Sequence, residues 1–252
     1  MTPTKIALVI EYEGTCYHGF QWQPDKPTIQ GELERAIRKL DTKASRAVAA
    51  SRTDAGVHAK GQVASFWTRP ELSELALLRA LNYYLPNDIA VKAAYKIDEN
   101  FNVRRDALSR EYEYHILNSD TRSPLSRNFS LFIAKELDVE TMNKACYIIR
   151  GKRDFISFAS SLGCIRDTVR TIYEAEVRRQ GDSVIFHIVA NSLLPHQVRN
   201  TVGLLIKLGL GEKDMEYFRN VMEAKTLGLA GPAAPACGLC LTKVNYPKPL
   251  GG

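Results

Sequence analysis

The chain has 252 residues, of which 34 are lysine or arginine and 28 are aspartate or glutamate, so its formal net charge is +6. A composition that is 45% hydrophobic and 25% charged is typical of a globular chain and excludes disordered, collagen-like and disulfide-rich classes. No stretch approaches the about 18 apolar residues of a membrane span, and the N-terminal sequence lacks a signal-peptide pattern, so we expect a cytoplasmic protein. The modest basic charge fits a polyanionic partner, and it equally fits a solvated basic surface.

The cysteines are odd in number and mostly scattered, which favours reduced thiols over a disulfide framework. They are Cys16, Cys146, Cys164, Cys237 and Cys240. The last two form a C-x-x-C pair, but a structural zinc site needs a second pair of ligands, and no histidine stands at a finger-like spacing. We therefore expect no metal.

Strand and helix patterns alternate in the first half of the chain. Residues 5–12 are a nearly continuous apolar, β-branched run, which predicts a strand buried on both faces. Thr28 is the expected N-cap of a helix over residues 29–40, where apolar residues recur at helical spacing. A strand over 63–67, a helix over 71–84 that ends before Pro86 and an alternating strand over 89–97 follow.

A second series of elements begins near Ser109, where Tyr112, Tyr114 and Ile116 share one face of a predicted strand. A helix over 137–150 follows, with Asp138 as N-cap. Strands over 171–177 and 184–190 flank a glycine-containing turn, and a further helix covers 196–211. The sequence thus predicts an α+β fold with halves 1–107 and 108–252, and short hairpins favour antiparallel pairing over a doubly wound sheet.

Residues 51–59, SRTDAGVHA, place a carboxylate, a guanidinium and an imidazole in one short polar break. One interpretation is a surface turn, in which Asp54 bonds nearby backbone and Gly56 supplies a positive φ. The other is functional: an aspartate on a loop that follows a strand can act as nucleophile or base, and Arg52 can bind a phosphate or carboxylate on the same side.

This segment resembles the G-R-T-D-x-G-V-H-A signature of the bacterial tRNA pseudouridine synthases of the TruA family. Six further segments resemble motifs of that family in the same order. They are EYEGTCYHGFQWQ from Glu11, LPNDIAV from Leu85, FNVRRDALSREYEY from Phe101, GKRDFISF from Gly151, VRN from Val198 and GLCL from Gly238. Their joint order makes coincidence very improbable.

The departures from the family pattern are local, and none falls on the expected catalytic residues. They are Ser51 for glycine, Phe20 for tryptophan, Asn102-Val103 for histidine-alanine, Lys152-Arg153 for x-histidine and LLPHQ before VRN. Contacts to RNA that the resemblance implies at Asn102, Arg153 and Gln197 are therefore in question.

The resemblance implies conversion of uridine to pseudouridine at positions 38, 39 and 40 in the anticodon stem-loop of tRNA, without cofactor or metal. Asp54 is the implied catalytic aspartate, and whether it attacks the sugar, attacks the base or removes a proton stays open. Arg199 is expected to pair with Asp54 and keep it ionised. Tyr112 is expected to stack on the target uracil and to help remove its C5 proton, whereas Tyr114 is expected in the core.

Expected substrate contacts lie around these residues. Arg52 is expected at a phosphate or carboxylate, and Arg104 and Arg105 are expected at phosphates or as solvated surface residues. Arg110 is expected at a phosphate or as a loop-positioning residue, and His58 at the RNA or as a loop-packing residue. Further basic candidates, each of which could equally be a solvated surface residue, are Arg150, Lys152, Arg153, Arg166, Arg170, Arg178 and Arg179.

For architecture, the resemblance implies two pseudo-symmetric, ferredoxin-like or RRM-like halves in one continuous, mainly antiparallel sheet, with helices on one side and a central active-site cleft. It also implies a homodimer that binds tRNA, with no membrane or DNA partner. Two other functions stay open. A tRNA-binding or chaperone module would not need Asp54, and a carboxylate-dependent hydrolase would need a second acidic group or a metal cluster.

Overall fold

The computed structural model describes residues 3–69, 72–163 and 165–251. These residues form two compact units: the first contains the described residues up to Arg110 and from Cys240 onward, and the second runs from Glu111 to Leu239. The chain thus returns at its C-terminal end to the unit in which it began. No helix in the described part of the chain is long and apolar enough to cross a membrane.

Within the described residues, ten strands and five α-helices make up the two units. In chain order they are β1 (Thr4–Tyr12), α1 (Ile29–Leu40), β2 (Val48–Ala49), β3 (His58–Thr68), α2 (Glu74–Tyr84), β4 (Ile89–Lys96), β5 (Ser109–Asn118), β6 (Leu131–Ile133), α3 (Val139–Ile149), β7 (Gly151–Asp154), β8 (Val169–Gln180), β9 (Ser183–Ala190), α4 (Gln197–Gly209), α5 (Met215–Glu223) and β10 (Leu239–Asn245).

The sheet of the first unit has the order β4-β1-β3-β10, and β2 also pairs with β3. β1 is antiparallel to both of its neighbours, whereas β10 runs parallel to β3, with Cys240 opposite His58. On α1, Ile29, Leu33 and Ile37 are buried at helical spacing, and the Thr28 hydroxyl accepts the Gly31 N–H at 3.2 Å. Helix α2 packs on β4 and α1. Local capping and periodicity therefore explain these helices.

The sheet of the second unit has the order β5-β9-β8-β7, and β6 pairs with β5 in parallel. β8 and β9 form an antiparallel hairpin whose turn contains Gly181 at φ 58°. Helix α3 packs on β8, α4 and α5, and its N-cap carboxylate, Asp138, accepts the Thr141 N–H at 2.9 Å. The α+β class with mainly antiparallel pairing is confirmed.

The predicted helices and strands are present, with some differences in length. β3 begins at His58 rather than at residue 63, because Lys60 and Gly61 continue the strand although they break the apolar pattern. The helix predicted from Glu71 begins at Glu74, and Glu71 itself lies outside the described residues. The pattern did not predict β2, β6, β7, α5 or β10. The early start of β3 places Asp54 in the loop that directly precedes a strand.

Candidate active site

Asp54 lies in the active-site loop, by which we mean residues 50–57 between β2 and β3. Gln62 on β3 is fully buried and holds the start of this loop: its Nε2 donates to the Ser51 carbonyl at 2.8 Å, and its Oε1 accepts the Ser51 N–H at 3.3 Å. Tyr12 on β1 shares a hydroxyl hydrogen bond of 2.8 Å with Thr53. Buried side chains of two strands thus fix the residues that lead to Asp54.

The segment 17–20 supports the other side of the active-site loop. Gly19 has φ 89°, and a Cβ built there would stand 2.6 Å from the Thr53 carbonyl oxygen, so the two backbones approach as only glycine allows. The same carbonyl accepts the Phe20 N–H at 3.1 Å, and the Gly56 N–H donates to the Tyr17 carbonyl at 3.2 Å. Backbone contacts therefore hold the loop from both ends.

Asp54 itself is partly exposed at the turn of the loop. Its carbonyl accepts the Val57 N–H at 3.2 Å, and Gly56 completes the turn at φ 79°. The hydrogen bond of this turn is made by the Asp54 backbone, so the turn is compatible with the functional interpretation of the carboxylate, whose catalytic role stays a prediction.

His58 is buried at the start of β3, where its Nδ1 accepts the Gly14 N–H at 3.0 Å. An accepting Nδ1 carries no proton, so this contact favours the neutral imidazole. The geometry supports the loop-packing interpretation of His58, and its contact with RNA stays a prediction.

Arg52 and Arg104 are exposed neighbours in the first unit. Partial burial, and then the like charge of Arg52, lowers the pKa of the Arg104 guanidinium from its ordinary value. Two guanidinium groups close enough to repel each other favour an anion between them, and phosphate matches the planar fork of donors that arginine presents.

Arg110 is buried at the start of β5, and its guanidinium donates to three backbone carbonyls. They belong to Ala50 at 3.0 Å, to Arg104 at 2.6 Å and to Ala107 at 3.2 Å. Arg110 thereby ties the first residue of the active-site loop to the backbone of Arg104. This geometry supports the loop-positioning interpretation of Arg110.

Arg105 differs from its neighbour because its charge is already partnered. Its Nε donates to Asp106 at 2.9 Å, and this hydrogen bond raises the pKa of Arg105 above its usual range. Asn102, which stands where the family has histidine, uses its Oδ1 to accept the N–H groups of Arg104 and Arg105 at 3.0 Å each. Asn102 therefore shapes the turn that presents Arg104.

Tyr112 and Arg199 belong to the second unit. Tyr112 is buried on β5, and Arg199 is half-buried on α4, where its Nε donates to the Ala234 carbonyl at 2.8 Å. Tyr114 is fully buried, its hydroxyl donates to the Pro235 carbonyl at 2.8 Å, and burial raises its pKa above the ordinary value. Tyr114 is thus a core residue, whereas the catalytic roles of Tyr112 and Arg199 stay predictions.

The remaining basic candidates fall into two groups. Several are held by internal hydrogen bonds: Arg178 bonds Glu113 at 2.7 Å, Arg179 bonds Asn118 at 2.8 Å, and Arg150 bonds the Ala175 carbonyl at 2.7 Å. Others are exposed, namely Lys152, Arg153 and Arg166, of which Arg153 also donates from Nε to the Arg150 carbonyl at 3.1 Å. Arg170 lies between these groups, and burial lowers its pKa. Contacts of these residues with RNA stay predictions.

Among the described residues, no group of three or more histidine, cysteine, aspartate and glutamate side chains stands close enough to bind a metal ion. The Cys237 thiol donates to the Ser130 carbonyl at 3.7 Å, and Cys240 is buried on β10. Cys164 lies outside the described residues.

Sequence reasoning missed the residues that support the active-site loop. The strand pattern gave Tyr12 no role beyond its strand, Gln62 lay just outside the strand predicted over 63–67, and the motif gave Gly19 no role of its own. A polar Gln62 at a core position of β3 was the available signal, since a buried amide needs partners.

Comparison with known proteins identifies the family of this chain. A family model described as tRNA pseudouridine synthase matches residues 8–106 and 145–247. The chain belongs to the tRNA pseudouridine synthase family, and its activity class is the isomerisation of uridine to pseudouridine in tRNA.

Individual relatives match nearly the whole chain. A tRNA pseudouridine synthase A of Francisella tularensis subsp. novicida is 41% identical over 241 residues, which cover 96% of this chain and 93% of the relative. One of Exiguobacterium sp. is 40% identical over 244 residues, which cover 97% and 98%. Among solved structures, a chain of a Cbf5-Nop10-Gar1 complex matches with 14% identity and a TM-score of 0.32 over 80% of this chain and 54% of that one, a likeness too low to carry an argument.

Proposed function

We propose that this protein isomerises uridine to pseudouridine at positions 38, 39 and 40 of the tRNA anticodon stem-loop, with Asp54 as the essential carboxylate and with no cofactor. The observation that carries the proposal is the way in which the loop around Asp54 is held. Its loop is held by buried Gln62 and Tyr12 and by backbone contacts with segment 17–20, while Asp54 itself reaches the surface. The anticodon stem-loop is proposed as the substrate because of the seven motifs that the chain shares with the family in the same order.

The reaction breaks one bond and forms another within a single nucleoside. The N1–C1′ glycosidic bond is cleaved, the uracil turns, C5 bonds to C1′, and the proton on C5 leaves while N1 gains one. Atoms and electrons balance without an oxidant or a second substrate. A carboxylate in a fixed position suits this series of reaction steps, because it can attack the sugar or the base, or accept a sugar proton, beside an electron-poor centre.

Tyr112 and Arg199 complete the proposed machinery. The Tyr112 ring would stack on the detached uracil and hold it during rotation, and its hydroxyl would help to remove the C5 proton. Arg199 would pair with Asp54 and keep the carboxylate ionised, as an opposite charge at short range does. The hydrogen bond from Arg199 Nε to the Ala234 carbonyl supports this role, because it limits the orientations of the guanidinium.

The target uridine must leave the stacked stem-loop before chemistry can occur. Arg52 and Arg104 are the proposed phosphate contacts for the extruded nucleotide, since their mutual repulsion is relieved by an anion. Arg110 would act through Arg104, whose carbonyl it holds. His58 and Arg105 remain proposed RNA contacts. We expect each to contribute less to tRNA binding, because its side chain already has an internal hydrogen-bond partner.

We further propose that the enzyme works in the cytoplasm as a homodimer, in which one subunit binds the tRNA body while the other modifies it. The net charge of +6 per chain would then double over one assembly. A basic surface of this kind predicts tRNA binding that weakens steeply with salt, because phosphate contacts release counterions.

The test is pseudouridine mapping on unmodified tRNA transcripts with the wild type and Asp54→Asn, at equal occupancy of the protein by tRNA. Release of tritium from 5-tritiated uridine gives the rate, because C5 loses its hydrogen as the new bond forms. We expect pseudouridine at anticodon-stem positions with the wild type and none with Asp54→Asn.

Asp182→Asn is the matched control, because Asp182 lies exposed in the β8–β9 turn and the change is chemically the same. It should modify tRNA at the wild-type rate. Tight tRNA binding without modification by the wild type would instead identify a tRNA-binding protein without chemistry. Modification by Asp54→Asn at the wild-type rate would remove Asp54 from the mechanism.

A further inference from the structure

Trp22 is a large aromatic residue that is not buried in the core. It is 45% exposed, and the Arg46 guanidinium stands 5.0 Å from the centre of its ring. The Arg46 side chain is itself 63% exposed. An aromatic ring together with an arginine is a combination that proteins use to bind nucleobases.

Helix α1 holds both members of this pair in place. The Trp22 N–H donates to Gln30 Oε1 at 2.8 Å, and Gln30 Nε2 donates to Glu34 Oε1 at 2.8 Å. The buried Glu34 carboxylate also accepts the Ala47 N–H at 3.1 Å and forms an ion pair of 3.5 Å with Arg46 Nε. One buried amide–carboxylate pair therefore positions the backbone at Trp22 and at Arg46, so little entropy is lost when a ligand orders them.

The pair also adjoins the active-site loop. Phe20, two residues before Trp22, donates its N–H to the Thr53 carbonyl at 3.1 Å and accepts the Gln30 N–H at 2.9 Å. On the other side, Arg46 lies just before β2, and β2 leads directly into the same loop. Both members are thus joined by short, bonded segments to the loop that carries Asp54.

We propose that Trp22 and Arg46 form a stacking platform for an unpaired base of the tRNA that flanks the target uridine. The proposal rests on the proposed function, which supplies the RNA. The indole would stack on the base, and the guanidinium would contact the same base or the adjoining phosphate. Recognition of this kind tolerates any base, because every base has a π face. It would fix the strand next to the extruded uridine without selecting its sequence.

The chain has two tryptophans, so Trp67→Phe leaves Trp22 as the fluorescent residue. We would titrate this variant with end-labelled tRNA transcript and record tryptophan emission and label anisotropy together. Stacking predicts that the emission falls, with the same midpoint as the rise in anisotropy. A rise in anisotropy with unchanged emission would overturn the platform while leaving tRNA binding intact. An emission change on protein dilution without tRNA would assign Trp22 to contact with a second copy and would also overturn it.

Substitutions give an independent measure in the full-length protein. Trp22→Ala should weaken tRNA binding about tenfold, and Trp22→Phe should retain most of the affinity because a flat ring remains. Tyr83→Ala is the matched control, since Tyr83 is an aromatic residue of the first unit that is 82% exposed and lies outside the proposed site. The Tyr83→Ala variant should bind tRNA with the wild-type affinity.

Equal affinities of Trp22→Ala and Tyr83→Ala for tRNA would refute the platform. Failure of the proposed function is distinguishable from this result. In that case the wild type would form no pseudouridine or bind no tRNA, whereas failure of the platform alone leaves wild-type modification intact.

Discussion

Replacing Gln62 with leucine keeps the size of a buried side chain but removes the hydrogen bonds that hold the start of the active-site loop. In the structure, Gln62 bonds the Ser51 carbonyl at 2.8 Å and the Val63 N–H at 3.1 Å, with longer contacts to the Ser51 N–H at 3.3 Å and the Tyr12 hydroxyl at 3.4 Å. Each short buried bond contributes about 1 kcal/mol, and apolar atoms beside the former partners add a desolvation cost. We expect the free energy of unfolding to fall by about 3 kcal/mol.

For a chain of this size, that loss corresponds to a decrease in Tm of about 6 to 12 °C. Thermal unfolding followed by circular dichroism measures it. Catalysis should suffer separately, because a displacement of about 1 Å in a reacting group can cost about a hundredfold in rate. At a temperature where both proteins are folded, we expect kcat for tritium release by Gln62→Leu to fall at least about tenfold.

Thr68→Val is the matched control for this prediction. Thr68 is a buried polar residue of the same strand, and its hydroxyl donates to Asp41 at 3.0 Å, at the end of β3 away from the active-site loop. It should lower Tm by a few degrees and leave kcat unchanged. If Gln62→Leu lowers Tm as expected but turns over tRNA at the wild-type rate, Gln62 does not position the loop and the reasoning is wrong.

Three further predictions test other parts of the molecule. Gly19→Ala should abolish most activity and should destabilise the fold by more than Gly181→Ala. Both glycines have positive φ, but only at position 19 would the new Cβ lie 2.6 Å from a backbone carbonyl oxygen. Urea unfolding measures the stability difference, and tritium release measures the activity. Hydrogen bonds, chiefly from a backbone N–H, lower the pKa of Asp41, so its stabilisation is present above the ordinary carboxyl pKa and is lost as pH falls through the folded value. The difference in free energy of unfolding between the wild type and Asp41→Asn should therefore become smaller as the pH falls. Urea unfolding at several pH values measures this difference, and a difference that does not change with pH would contradict the prediction. Arg104→Gln should reduce the slope of log Kd for tRNA against log salt by about one, and Arg105→Gln by less, because Arg105 already pairs with a carboxylate.

The sequence by itself determined the elements whose causes are local. Thr28 and the spacing of Ile29, Leu33 and Ile37 were enough to place α1, because capping and periodicity act over three or four residues. The hairpin around Gly181 followed in the same way from a turn residue with positive φ. The motif around Asp54 is equally local, and its nine consecutive residues are enough to indicate the family.

Tertiary structure decided how the site is held. The hydrogen bond between Tyr12 and Thr53 joins residues 41 positions apart, and the contact between Gln62 and Tyr12 joins residues 50 apart. Likewise, β10 was not predicted, because its place beside β3 depends on pairing with a strand far away in the chain. A sequence pattern shows which face of a segment is buried, but not which distant segment covers it. The motif around Asp54 was therefore readable from the sequence, whereas the contacts that hold its loop depend on how the strands pack together.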